Sequence, residues 1–152
     1  MREEVTALYL CGIYAGRGVL SRYEYLFLRR LLADEPDHSA RATAYLARIE
    51  RGEFKAHLAV TVVFETVYTL QRFYQQPKAA IRDALLPLLE LPGIILPGKD
   101  TLRTAFELYV DLDLPFADAY HAALMKHQGL RELVSFDRDF DRIPGINRIE
   151  PF

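Results

Sequence analysis

The 152-residue chain has one cysteine, Cys11, and no tryptophan. A lone thiol closes no intramolecular disulfide and builds no thiolate zinc site, so neither staple is available and the usage fits a reducing compartment. An excess of one charge is missing as well. Lysine and arginine number 19 against 21 aspartates and glutamates, a formal net charge of −2, which excludes a basic coat for non-specific nucleic-acid binding. A nucleic-acid enzyme stays open, because metal ions add positive charge that a residue count does not show. Long apolar runs are lacking too. Residues 5–20 are interrupted by Gly12, Gly16, Arg17 and Gly18 and fall short of the ~20 residues that cross a bilayer. Arg2 is followed by Glu3 and Glu4, a poor leader for secretion. The expectation is a cytoplasmic protein with no membrane segment. Phosphate loops of the Gly-x-x-x-x-Gly-Lys-Ser/Thr or Gly-x-Gly-x-x-Gly kind and a His-Glu-x-x-His pair are also absent, which points away from nucleotide-dependent and zinc-peptidase chemistry.

What is present is 51% apolar sequence, enough at this length for one domain with a sizeable core. Residues 39–49 place Ala42, Tyr45, Leu46 and Ile49 on one stripe, predicting an amphipathic helix with an Asp or Ser cap. Residues 55–60 read as extended, and 61–74 as a second helix with Val63, Val67 and Leu70 on one face. A third helix is predicted over 77–91, opened by Pro77 and kinked or split by Pro87 near residues 83–87. A short strand at 94–96, a helix over 99–110, a turn at 113–115 and a helix over 116–128 closed by Gly129 follow. Residues 133–136 predict another strand, and Ile149 belongs to one more. Strands alternating with helices predict an α/β fold, a short and largely parallel sheet flanked by helices. Ligands of such sheets gather at the carboxyl ends of the strands.

Three acids stand where acids are awkward. Glu65 interrupts the most apolar window of the chain, Asp118 lies in an apolar helical frame, and Asp137 directly follows the strand predicted to end at Phe136. Singly, each has a plain reading: a solvated helix face, a charge favouring a helix N-terminus, a turn residue. Together they form a cluster if the helices pack on the sheet. Two such charges 4 Å apart repel by about 4 kcal/mol at an effective dielectric of 20, a cost removed by a shared Mg²⁺ or Mn²⁺, hard cations that take carboxylate oxygen.

Asp-Glu-Pro-Asp-His-Ser at 34–39, Phe-Glu-Thr-Val-Tyr-Thr-Leu at 64–70, Pro-Phe-Ala-Asp-Ala at 115–119, Leu-Val-Ser-Phe-Asp-Arg-Asp-Phe at 133–140 and Ile-Pro-Gly at 143–145 follow one another in order. Over residues 28–152 this series resembles the PIN-domain nucleases, most nearly the VapC-type toxins of toxin–antitoxin pairs. The resemblance implies a parallel sheet sandwiched by helices and cleavage of RNA that depends on Mg²⁺ or Mn²⁺. It makes Glu65, Asp118 and Asp137 catalytic, metal-binding acids, with Asp139 as a neighbouring ligand. Glu65 or another acid would orient or deprotonate the attacking water. It also implies a homodimer and a cognate antitoxin that blocks the site.

One landmark is missing. The family opens with a strand ending in Asp-Thr-Asn, whose Asp is the first metal ligand, and the corresponding places here hold Tyr23, Glu24 and Tyr25; no Asp precedes Asp34. The genetic code suggests a cause. Arg22 to Leu26 can be written CGA TAC GAA TAT CTT, which from the second base reads GAT ACG AAT ATC, or Asp-Thr-Asn-Ile. Upstream, Val-Leu-Ser at 19–21 as GTA CTT TCT permits Tyr-Phe-Leu in the same frame, and Ile-Tyr-Ala at 13–15 permits an ATG. Residues 1–27 are therefore read as an aberrant, out-of-frame segment before a PIN-like domain at 28–152, with activity impaired by the lost acid. Divergence, with Glu24 replacing the acid, is the competing account. A non-catalytic PIN-like module that binds RNA or protein is the alternative function, and a small phosphatase-like hydrolase a weaker one. His121, one turn from Asp118, is read as a packing or outer residue, and Arg29, Arg30 and Arg41 as candidates for RNA phosphate contact or a partner interface. Sequencing of the gene is expected to show Asp-Thr-Asn or a near variant in the alternate frame; its absence there contradicts the frame account.

Overall fold

The structure, a computed structural model, describes residues 27, 30–32, 36–53 and 55–152. Tyr23, Glu24, Tyr25 and the rest of the segment read as out of frame up to residue 26 lie outside the described residues, as does Arg29. Two compact units divide the chain, residues 1–97 and 98–152.

In the first unit, helix α1 (Pro36–Glu50) buries Ala42, Leu46 and Ile49, the stripe its spacing predicted, with Tyr45 half-buried beside it. It begins three residues earlier than expected. Pro36 has no N–H to lose at a first turn, and Asp37 stands where a helix favours a negative charge. Strand β1 (Ala56–His57) pairs in parallel with β2 (Ile94–Ile95), as Ala56 donates to the Gly93 carbonyl at 2.8 Å and Leu58 to that of Ile95 at 2.9 Å. Between them run α2 (Val60–Arg72) and α3 (Lys78–Leu89). The β-branched residues of α2 are tolerated because they are its buried face: Val62, Val63, Thr66 and Val67 line it. The Thr66 hydroxyl donates to the Val62 carbonyl at 2.7 Å, so its burial leaves no orphan. Helix α3 runs through Pro87 without a break, so of the kink or split expected there the split does not occur. The ring removes one hydrogen bond, to the carbonyl of Asp83, and that residue faces solvent, which can satisfy the carbonyl in its place.

The second unit begins with α4 (Lys99–Asp111) and α5 (Phe116–His127). Phe116 lies 4.8 Å from Phe106 and 5.4 Å from Tyr109, ring centre to ring centre. This aromatic wedge is buried and fixes the start of α5 on α4. Burial, reinforced by the charge of Asp113, pushes the Tyr109 phenol up to about 12. Near the other end of the pair the Thr104 hydroxyl and His127 Nε2 are 3.1 Å apart. Gly129 follows with φ 70°, the left-handed conformation that stops the helix.

Strands β3 (Glu132–Val134) and β4 (Asn147–Ile149) form a second parallel pair, bracketing a 3-10 turn at Arg138–Arg142. The strand expected over 133–136 thus starts and ends earlier. Ser135 still donates to the Ile149 carbonyl at 3.0 Å, but the Asp137 N–H turns to the Ser135 hydroxyl, also at 3.0 Å, and the ladder stops. The architecture is α/β with short parallel strands, as expected. Among the described residues the strands form two two-stranded sheets rather than one.

Gly93 shows how tightly α1 meets this layer. A Cβ added there would stand 2.5 Å from Ile49 Cγ2 and 2.7 Å from the Ile49 carbonyl oxygen. Gly93→Ala is expected to lower stability by about 1–3 kcal/mol in urea denaturation, the usual cost of overpacking; an unchanged midpoint would contradict this contact.

Candidate metal centre

Local structure determines where the acids point. Pro115 caps α5, Phe116 is wedged against α4, and Asp118 follows in the first helical turn, half-buried. Asp137 caps the 3-10 turn at the end of the second parallel pair, its Oδ1 accepting the N–H of Asp139 at 2.9 Å. That bond closes the turn and carries Asp139 to the same side. The result is a cluster: Asp118, Asp137 and Asp139 each offer a carboxylate oxygen, and all of these atoms lie within 4.8 Å of one another. Glu65, the remaining predicted acid, is half-buried on α2 in the first unit and is not a member of this group.

The electrostatics follow from the crowding. Burial raises the Asp118 carboxyl above the usual aspartate value, Asp137 and then Asp139 push it the same way, and His121 one turn along pulls it back. Asp139 has a cation of its own. Arg142 Nη2 donates to its Oδ1 at 3.0 Å while Nη1 donates to the Leu112 carbonyl, also at 3.0 Å, at the end of α4. All donors in the group are carboxylate oxygens, with no thiolate or imidazole among them. Such a set suits a hard divalent cation of the Mg²⁺ or Mn²⁺ kind and suits zinc poorly. The residues present therefore fit a divalent centre.

Residues 27–146 match the sequence profile of the PIN domain. The chain belongs to the PIN-domain family. It is similar to a VapC ribonuclease of Aquifex aeolicus, 27% identical over 103 residues that make up 68% of this chain and 75% of that protein. It is also similar to a VapC ribonuclease of Mycobacterium bovis and to Ribonuclease VapC13 of Mycobacterium tuberculosis, each 36% identical over 76 residues, 47% of this chain and 56% of the relative. The chain thus spans little more than half the length of these two mycobacterial relatives. PIN nucleases depend on divalent metal, and the acidic cluster of this PIN domain is where that dependence would reside.

Sequence reasoning missed the residues that hold the acids. Ser135, Arg142 and Arg148 carry the contacts around residues 137–141. The serine was legible in principle, since Ser-x-Asp at a strand end is a turn-forming spacing. Arg148 was not, because its partners lie seven and thirteen residues away, and Arg142, three residues from Asp139, also reaches the distant Leu112 carbonyl.

The Asp118 shift fixes a pH dependence. Because its folded value lies above its unfolded one, the metal-free fold is penalised for ionising it; the penalty is absent below the ordinary aspartate range and complete above the raised value. Stability of the metal-free protein should therefore fall as pH rises through that window. Mn²⁺ affinity, which needs the carboxylate, should decline on acidification at a higher pH than an ordinary aspartate would give. Asp118→Asn is expected to flatten the stability trend and weaken Mn²⁺ by about 10-fold or more; thermal melts and calorimetry across pH 3 to 7 (roughly the carboxylate range) would read both.

Proposed function

We propose that this PIN domain is a metal-dependent endoribonuclease of the VapC type, impaired by loss of its first acid. The observation that carries the proposal is the grouping of Asp118, Asp137 and Asp139 within 4.8 Å in a chain whose relatives carry the name ribonuclease. Mg²⁺ or Mn²⁺, when bound, supplies charge neutralisation at the phosphodiester and at the leaving oxygen. Asp118 and Asp137 would hold the ion, with Asp139, already paired with Arg142, as a neighbouring carboxylate. Glu65 is proposed as a further acid of the centre on the family resemblance alone, orienting or deprotonating the attacking water. The substrate is RNA. A cognate antitoxin and a second copy of the chain are the proposed partners, in a cytoplasmic setting. No helix among the described residues is long and apolar enough to cross a membrane.

The impairment reading rests on residues 1–27 being out of frame ahead of a PIN-like domain at 28–152. Its support is the Tyr-Glu-Tyr at 23–25 where the family has Asp-Thr-Asn, together with a family match that starts at Phe27. The experiment compares this chain with a version in which Tyr-Phe-Leu-Asp-Thr-Asn-Ile replaces residues 20–26. With Mn²⁺, the restored version is expected to cleave RNA about 100-fold faster than the present chain, the upper end of what loss of even an outer partner of a metal ligand costs. Asp118→Asn and chelation should each abolish cleavage. Equal rates in both versions would contradict the impairment, and a restored version that binds RNA without metal-dependent cleavage would favour the binding-module function.

A further inference from the structure

Asp137 and Asp139 ride on a turn that leaves the sheet after β3 and returns at β4, and one side chain from β4 ties both ends of it. Arg148 is only 10% exposed. Its Nη1 donates to the Ser135 carbonyl at 2.9 Å, while Nε and Nη2 donate to Asp141 Oδ1 and Oδ2 at 2.8 and 3.2 Å. Glu150 Oε2 stands 3.6 Å from Nη1. The two anchor points bracket the acids: Ser135 lies two residues before Asp137, and Asp141 two residues after Asp139. From Ser135 the hold passes inward, since its hydroxyl accepts the Asp137 N–H at 3.0 Å and Asp137 Oδ1 accepts the Asp139 N–H at 2.9 Å.

We propose that Arg148 is the positioning residue of the carboxylate centre, setting the separation of Asp137 and Asp139 and keeping Asp141 out of the ligand group. The inference rests on the reading of Asp118, Asp137 and Asp139 as metal ligands. A planar guanidinium is suited to the task because its fork engages both Asp141 oxygens while a third N–H reaches the Ser135 carbonyl; an ammonium offers no such fixed geometry. Asp141 is thereby occupied. It is the one acid of the turn that does not join the cluster, although it lies as close to Asp139 in sequence as Asp137 does. Arg148 touches no reacting group, and its action runs through the backbone of the turn.

The test is the Mn²⁺ affinity of the folded full-length chain, measured by calorimetry well below each variant's melting temperature. Arg148→Lys and Arg148→Met are expected to weaken Mn²⁺ by about 10-fold, the scale for outer partners of metal ligands. Ser135→Ala should weaken it in the same direction, and Ser135→Thr, which keeps the hydroxyl, should restore it. A purely structural role would lower the melting temperature equally with and without Mn²⁺ and leave the affinity of the folded protein at its wild-type value; that result would overturn the proposal. If the Arg148 variants do not fold, the Ser135 pair decides, and equal affinities for Ser135→Ala and wild type overturn it. A wild-type chain with no Mn²⁺ affinity would instead remove the metal centre on which the inference stands.

Discussion

Like charges held together against their repulsion set the terms for the second unit. Carboxylate oxygens that all lie within 4.8 Å of one another oppose one another by about 3 kcal/mol per pair at that outer separation and an effective dielectric of 20, less where solvent reaches them as it does at Asp137. The fold meets this load with rigid attachment and with compensating charge. Phe116, locked between Phe106 and Tyr109, leaves Asp118 no freedom to retreat along the helix. Arg142 spans from the end of α4 to Asp139, so a cation already lies against one acid. The backbone N–H of Asp139 lies against another. Burial first, and then the charges of Asp137 and Asp139, hold the Asp118 carboxyl above the usual aspartate value.

The two units differ in what they contribute. The first is built on aliphatic packing, with Ile49, Val63 and Val67 buried and Gly93 admitting Ile49 at close range. The second concentrates its polar contacts between residues 135 and 148, where short-range hydrogen bonds replace a long strand ladder. Such a division is physically reasonable: an acid cluster needs fixed backbone, and a turn closed by side chains fixes more donors per residue than a three-residue strand does.

Periodicity made the helices legible. Ala42, Leu46 and Ile49, or Val63, Val67 and Leu70, recur at helical spacing because one face is buried. Asp118 and Asp137 drew notice because one interrupts an apolar frame and the other follows a strand pattern, although Asp137 also serves locally as the cap of the 3-10 turn. Pro87 suggested a split because propensity counts the lost hydrogen bond without knowing that Asp83, whose carbonyl loses it, is an exposed residue. The end of β3 misled because Phe136 looks like a strand residue, and only the Ser135 hydroxyl, by capturing the Asp137 N–H, ends the ladder before it. Arg148 was hidden altogether: its partners lie seven and thirteen residues away, and an arginine near a chain terminus reads as solvated surface.

One feature of β3 extends past the acids. Its odd-numbered backbone groups face β4, as the bonds of Arg131 and Ser135 show, so those of Glu132 and Val134 face the opposite edge, which has no partner among the described residues. Val134 and Phe136, beside that edge, are 64% and 72% exposed. Natural sheets blunt such edges with charge, proline or a bulge, and here charge stands only at the start, on Arg131 and Glu132. Val134 and Phe136 thus reach solvent on either side of Ser135, directly ahead of Asp137, and the carboxylate cluster begins where an uncharged stretch of surface ends.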